Sequence, residues 1–312
     1  MSTPAKWRFW AWPWELRQRG VLGMNRRNAN YVLLSNPRHH YPRVDDKLIT
    51  KTICEAHGIT VPRTYAVIER HGDIRDLLTS IGKYEEFVIK PARGAAGRGI
   101  TVVSQHDESV FETPGGEKLS WAELRYHVAT VLSGLYSLGG RPDKAIIEQR
   151  ILQHPAFDGV AVGGTPDIRM VMYRGIPAMA MIRLPTKVSG GRANLHQGAV
   201  GAGIDLGTGR TVGGVCWNRT LTTHPDTGKS VEGIQIPDWP ELLEAATRLA
   251  RGIEMGYIGI DFVVDANLGP IVLEANARPG LAIQIANRKG VLSKLNVIDR
   301  YSHEPERTQF GS

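Results

Sequence analysis

The chain has 312 residues, 42% of them hydrophobic and 22% charged, the proportions of a globular protein and not of a disordered or fibrous one. Its formal charge of +7 suits anionic ligands; no apolar run reaches membrane-spanning length, and no RNA- or DNA-binding motif accompanies the charge, so nucleic acid is not an expected partner. Two cysteines, Cys54 and Cys216, have no metal-ligand spacing and cannot make a disulfide framework, which points to a reducing compartment and the cytoplasm.

Four tryptophans (Trp7, Trp10, Trp12 and Trp14) open the chain, interleaved with Lys6, Arg8, Arg17 and Arg19. The stretch lacks the apolar core of a signal peptide. Tryptophan mixed with arginine suits an interface, so residues 1–23 are expected to dock on a membrane surface or a membrane protein; packing of the tryptophans on the body of the protein is the alternative. Asn30 to Pro42 reads as a short strand and a turn. Asp45-Asp46-Lys47 then opens a helix to about His57, stopped by Gly58 and Pro62.

Glu86 to Ser104 reads as strand, loop, strand. Lys90 ends the first strand, and Gly94, Gly97 and Gly99 with Arg93 and Arg98 make a flexible basic loop. Glycines let backbone N–H groups approach phosphates, and the cations offset their charge. No Gly-Lys-Ser/Thr follows, so the loop is not a P-loop. Leu119 to Leu138 reads as a helix with a capping box at Ser120 and Glu123. Lys144 to Leu152 is an apolar strand. Gly164 to Arg183 holds Asp167-Ile168-Arg169 and two strands joined by a turn, and Arg192-Ala-Asn194-Leu-His196-Gln-Gly198 follows. Gly207 to Pro237, polar and rich in Gly and Thr, reads as a surface loop or small insertion. Asp238 to Glu254 is a helix with Asp238 near its N-cap.

Tyr257 to Gly280 reads as a hairpin. If its turn centres on Asn267-Leu268, Asp261 lies opposite Glu274, with Cβ atoms about 5 Å apart. Asn276 shares that face, being two residues beyond Glu274. Like charges so placed need something positive between them, and oxygen ligands of this kind suit Mg²⁺. LAIQIANRKGVL after Gly280 reads as a closing helix.

In this order the motifs resemble those of an ATP-grasp ligase over Lys47 to Gly280, about three quarters of the chain. The resemblance rests on Asp-Lys before Gly-Ile-Thr-Val-Pro, on Val-Ile-Lys-Pro before the glycine loop, and on Asp261, Glu274-x-Asn276 and Pro279-Gly280. It implies an α+β ATP-grasp fold, two subdomains clamping ATP between antiparallel sheets. It implies that Lys47 contacts nucleotide phosphate, that Lys90 binds the α/β-phosphates, and that the loop of Gly94, Gly97, Arg98 and Gly99 closes over the β/γ-phosphates. Adenine would lie against the strand at Glu148, its edge read by backbone near Arg150 and Ile151. Arg150 stands where the family has an aromatic, and Gln153 and His154 stand where it has a ribose-binding acid, so the ribose contact is unassigned. Asp261, Glu274 and Asn276 would hold one or two Mg²⁺ ions, or Mn²⁺.

The run Arg192 to Gly198 is close to one in the ribosomal-protein glutamate ligases. It puts the RimK-like α-L-glutamate ligases, with the lysine-biosynthesis carrier ligases, as the nearest branch. Arg169, Arg183, Arg192 and Asn194 would then surround the γ-phosphate and the carboxylate to be activated; for His196 a structural and a catalytic role stay equally open. The expected organisation is a Trp/Arg-rich segment and truncated pre-grasp region over 1–44, an ATP-grasp domain over 45–300 (lid subdomain 45–150, metal and substrate subdomain 151–300), and a tail over 301–312. The implied activity is an ATP-dependent carboxylate–amine ligase working through an acyl phosphate, adding an amino acid such as glutamate to an unidentified acceptor. Another ATP-grasp peptide or natural-product ligase, and a non-catalytic nucleotide-dependent binder, are the alternatives.

Overall fold

In the computed structural model, residues 11–303 are described apart from 95, 96, 108 and 218. The strands of the first half are β1 Thr64–Ile68, β2 Phe87–Pro91, β3 Thr101–Val103, β4 Gln105–His106, β5 Val110–Glu112, β6 Lys118–Ser120 and β7 Ala145–Glu148. They make an antiparallel sheet of order β1-β7-β2-β3 and a small sheet β4-β5-β6. The helix Trp121–Leu132 packs Leu124, Val128 and Val131 onto Ile68, Phe87, Ile89 and Val103. Its start is the expected capping box: Ser120 N–H donates to the Glu123 carboxylate at 2.8 Å and Glu123 N–H to the Ser120 hydroxyl at 3.3 Å.

The second half supplies β8 Asp167–Tyr173, β9 Ile176–Leu184, β10 Val200–Ile204, β11 Arg210–Cys216, β12 Arg219–Leu221, β13 Glu232–Gln235, β14 Tyr257–Asp265 and β15 Gly269–Asn276. Their order is β12-β11-β10-β9-β8-β14-β15, with β13 beside β11. Every residue of β14 is buried, because the sheet is covered on both faces. On one face Ile168, Met170, Ile182, Ile258 and Ile260 meet the helices Trp239–Ile253 and Lys47–Ala56. On the other, Val171, Tyr173, Met181 and Tyr257 meet Leu22, Tyr31 and Val32 from the N-terminal region and Ile283, Leu295 and Ile298 from the C-terminal one.

Several expectations are corrected here. Asn30 to Pro42 is not a strand: Met24–Arg26, a π-helical turn Arg27–Val32 and Leu33–Ser35 run on into a 3₁₀ turn Arg38–His40. Tyr31 and Val32 are buried together while Leu33 and Leu34 are exposed, which is a helical pattern and not an alternating one. The segment is tied down by the buried Asn36, whose amide donates to Tyr257 O at 2.7 Å and Ala277 O at 3.2 Å and accepts from Tyr257 N–H at 2.9 Å. Gly207 to Pro237 is not a loop but contains β11, β12 and β13. Its glycines serve close packing: a Cβ on Gly214 would meet Val231, Leu221 and Val200 at 2.9–3.0 Å. Asp238 makes no side-chain cap; it sits at φ +49° before the helix Trp239–Ile253. The helix expected over Leu119 to Leu138 stops at Leu132, and β7 is shorter than the strand expected there. In place of one closing helix there are two, Ile283–Ala286 and Leu292–His303, the second reaching into the expected tail.

Of the opening tryptophans, Trp7 and Trp10 lie outside the described residues, as do Lys6 and Arg8. Trp12 and Trp14 are 43% and 55% exposed and stack on each other with ring centroids 4.8 Å apart. Burial begins just beyond them. Leu22 is 1% exposed, with its N–H donating to the Gln284 amide oxygen at 2.8 Å and its carbonyl accepting from the Gln284 amide at 3.0 Å. Among the described residues no helix is long and apolar enough to cross a membrane. Removing residues 1–18 should therefore leave the denaturation midpoint nearly unchanged. Removing 1–23 should cost about 2–5 kcal/mol, the scale of deleting one buried leucine side chain. Equal midpoints for the two truncations in urea titrations would contradict this placement of the core boundary.

Candidate active site

The hairpin β14–β15 reaches the expected pairing by another route. Asp265 pairs with Gly269, so the loop is the three residues Ala266–Leu268, not a two-residue turn. Gly269 takes φ +70°, as such a loop requires. The Asp265 carboxylate shapes it, accepting from Asn267 N–H at 2.8 Å, Leu268 N–H at 3.0 Å and Leu152 N–H at 2.8 Å. A bulge then leaves Leu273 unpaired between Phe262↔Val272 and Asp261↔Glu274. The two one-residue offsets cancel, and Asp261 faces Glu274 as the sequence suggests. Asn276 lies opposite Gly259 on the same face, its amide donating to Glu274 Oε1 at 3.3 Å. Just beyond it Pro279 folds over Gly259, where a Cβ would come within 2.6 Å. Arg27 holds that turn, donating to Pro279 O at 2.8 Å.

Two register pairs, Asp261↔Arg169 and Asp167↔Arg183, put four charged residues on one face of β14, β8 and β9. Arg169 grips Asp261 through Nε and Nη2 at 2.8 and 2.5 Å. Arg183 donates from Nη2 to Asp261 at 2.9 Å and from Nε to Asp167. Burial by itself would raise the Asp261 carboxyl, but the two guanidiniums outweigh it and hold the group well below the usual carboxylate range. Burial pushes the Asp167 carboxyl up to about 7, against the pull of Arg183 and with the charge of Asp261 adding to the rise. Here the cations facing Asp261 are arginines. The residue pattern of the hairpin suggests a metal ion in that place and does not show the arginines, which come from other strands.

A second buried group sits in the smaller sheet. Lys90 on β2 and Lys51 on the helix Lys47–Ala56 both pair with Glu148 of β7, Lys51 at 2.7 Å. All three side chains are under a tenth exposed. Glu148 thus spends both carboxylate oxygens on lysines, a use that sequence reading did not give it. Lys51 was missed altogether; its signal was its place one helical turn after Lys47, on the same face. Lys47 itself, following the N-cap Asp46, donates to Gly94 O of the glycine loop at 2.6 Å and lies 3.5 Å from Glu274. Arg93 Nε donates to Asp46 at 3.1 Å. Gly97 and Gly99 take φ +70° and +73°, and a Cβ on Gly99 would strike the Tyr136 ring at 2.4 Å.

The remaining candidates are less connected. Arg98 follows the part of the loop outside the described residues and joins no ion pair among those described. Arg150 donates to Glu86 at 2.9 Å, and Ile151 lies just past the end of β7. Arg192 is exposed, and Asn194 caps the turn Leu195–Gln197 by accepting from His196 N–H at 3.0 Å. Among the described residues no ion pair or hydrogen bond links Arg192 or Asn194 to the Asp261 cluster. Their loop does leave the large sheet where Leu184 pairs with Val200, the end that carries Arg183.

The donor set suits a hard divalent cation. Glu274 is half-buried and only loosely held by Lys47 and Asn276, and all the donors are oxygens. Asp261 brings a carboxylate already shared by two guanidiniums. Among the described residues no three His, Cys, Asp or Glu side chains gather into a metal cage, so phosphate oxygens would have to complete the shell.

A family model described as sugar-transfer associated ATP-grasp matches residues 26–300. A comparison with curated proteins finds no match. Among solved structures the chain is similar to the ATP-grasp ligase PsnB complexed with minimal precursor, at 13% identity and TM-score 0.48 over 86% of this chain and 63% of that one. It is similar to the D-cycloserine synthetase DcsG at 15% identity and TM-score 0.47, over 85% and 72% of the two chains. For the D-alanine–D-alanine ligase from Bacillus anthracis complexed with ATP, the values are 15%, 0.45, 84% and 66%. The chain thus spans less than two thirds of the length of PsnB.

The lysine pair generates a test. Glu148→Gln keeps the shape of the side chain but leaves two buried ammonium groups without their counter-charge. Breaking such a pair costs about 3–5 kcal/mol. Urea denaturation should show a loss of that order, part of it recovered by adding Lys51→Met, which removes the like-charge contact. A Glu148→Gln protein as stable as the parent would contradict the assignment.

Proposed function

The chain belongs to the sugar-transfer associated ATP-grasp family, and on that premise we propose that it is an ATP-dependent carboxylate–amine ligase. The observation that carries the reading is the position of Lys47. Its ammonium group touches the glycine loop at Gly94 and approaches the acid strand at Glu274, so loop and acids converge on one cation. A triphosphate needs that combination of backbone N–H groups, lysines and metal-binding acids.

In this reading Lys47 and Lys90 act as point charges on the phosphates, and the loop of Gly94, Gly97, Arg98 and Gly99 packs against them. Glu148 positions Lys90 and Lys51. The adenine lies beside β7, near Arg150 and Ile151. Asp261, Glu274 and Asn276 would hold Mg²⁺ or Mn²⁺, which when bound neutralises phosphate charge. Arg169 and Arg183 are held by Asp261 and Asp167 through Nε and Nη2, and among the described residues no hydrogen bond engages Nη1 of either, which would leave that edge for an anion. A substrate carboxylate oxygen attacks the γ-phosphorus and ADP departs. The amine of the second substrate then attacks the acyl carbon, phosphate leaves with the bonding pair, and the amine gives up its proton to yield an amide. No side-chain nucleophile takes part; the rate comes from placement and charge. The run Arg192 to Gly198 favours an α-L-glutamate ligase; a peptide or natural-product ligase uses the same groups.

Docking of residues 1–23 on a membrane surface or membrane protein belongs to the same proposal, supported by the exposed Trp12–Trp14 stack. Anionic liposomes should sediment the full chain and not the form lacking residues 1–18.

Purified protein with MgATP and pooled amino acids and amines should release ADP and yield a condensed product by mass spectrometry. Nucleotide binding without ADP release from any pool would favour the non-catalytic binder. Glu274→Ala should abolish ADP release while leaving the circular dichroism spectrum and melting temperature close to the parent's. Near-full turnover of this variant at saturating Mg²⁺ would sink its metal role.

A further inference from the structure

Beside the arginine–carboxylate cluster lies a pocket of about 170 Å³ lined by Leu195, His196, Val215, Trp217, Ala282 and Ile285. Its relation to the cluster follows from strand register. Arg183 of β9 pairs with Gly201 of β10, and Gly201 pairs with Val215 of β11, so the three stand abreast on one face of the sheet. Two strand spacings put Val215 roughly 10 Å from Arg183. Gly201 leaves the space between them free for Leu195: a Cβ there would meet the Leu195 side chain at 2.7 Å. The far wall, Ala282 and Ile285, begins two residues after Gly280, the end of the turn that follows the acid strand.

The pocket keeps apolar surface in water. Trp217 is 57% and Ile285 55% exposed. Trp217 also sits at φ +53°, a strained conformation for a bulky residue that tends to persist where a side chain has a task. Its indole lies against Gly198, whose Cβ would come within 3.2 Å of Trp217 Cζ2. The loop that forms this wall also carries Arg192, exposed and without an ion pair among the described residues. One short loop therefore offers a free guanidinium and an apolar recess, next to the two arginines of the proposed reaction centre. Among the described residues that line it, His196 is the only titratable side chain, so a second carboxylate inside the recess would lie against apolar walls. A cavity of this size accepts a phenyl-sized group; an apolar cavity of roughly 150 Å³ is known to take benzene.

We propose that this pocket is the side-group subsite for the acid substrate, and that the substrate is a monocarboxylic acid bearing an apolar or aromatic group of about phenyl size. The inference rests on the ligase reading for its reaction and on the pocket for its selectivity. It concerns the acid that is phosphorylated and leaves the amine substrate, glutamate or another, as proposed above.

The test uses the full-length protein and two probes, 3-phenylpropionate and glutarate, titrated by ligand-observed NMR. MgADP affinity is measured by calorimetry on the same samples. 3-Phenylpropionate should bind at least tenfold tighter than glutarate. Trp217→Asn, which suits the left-handed backbone and so spares the fold, should weaken 3-phenylpropionate at least fivefold and leave MgADP affinity unchanged. Ile285→Ser, at an exposed position, should do the same more mildly. Equal or tighter binding of glutarate, or undiminished 3-phenylpropionate binding by Trp217→Asn, overturns the subsite. Failure of the parent to bind MgADP while the preference for 3-phenylpropionate holds would remove the ligase reading and leave the subsite standing.

Discussion

Asp261, buried between Arg169 and Arg183, is the constraint on which the large sheet depends. It lies on β14, a strand with no exposed residue, where an ionised carboxylate is tolerable only if paired. The arginines reach it only if β14, β8 and β9 keep their registers to the residue, because a slip of one would turn each side chain to the opposite face. Such a cluster adds little net stability over an apolar one, yet breaking it is costly. Its value lies in specifying one arrangement and in holding two guanidiniums rigid at the edge of the apolar core.

The smaller sheet repeats this logic with the signs exchanged. There one buried carboxylate, Glu148, holds two lysines, one from β2 and one from the helix Lys47–Ala56. That helix packs against the large sheet through Cys54. Its first residue, Lys47, meets both the glycine loop and Glu274. One short helix therefore joins the buried lysine–carboxylate group of the smaller sheet to the glycine loop and the acid strand. The N-terminal region supports the arrangement from the other face: Arg27 and Asn36 anchor the backbone at Pro279, Ala277 and Tyr257, on either side of the acid strand.

Glycine shapes the rest of the candidate site by absence. Gly259 admits Pro279, Gly201 admits Leu195, and Gly214 admits Val231, each at a distance no Cβ would allow. The polar cluster and the apolar pocket are neighbours on one sheet face because Gly201 separates Arg183 from Val215.

The sequence by itself determined the alternation of strands and helices through most of the chain, the capping box at Ser120, and the hairpin that carries Asp261, Glu274 and Asn276, although the pairing of Asp261 with Glu274 came through a longer loop and a bulge that the sequence did not show. These follow from local chemistry: side-chain period, turn residues and caps act within a few positions. It misread Asn30 to Pro42, where β-branched and aromatic residues suggested a strand. Burial against Tyr173 and Tyr257 and the Asn36 clasp made that segment helical. It misread Gly207 to Pro237, whose glycines mark close sheet packing and not a loop. The use of Glu148 by Lys51 and Lys90, the arginines on Asp261, and the apolar pocket beside them were decided by tertiary structure alone. Each joins residues far apart in the chain, and only strand order and register bring their side chains to one place.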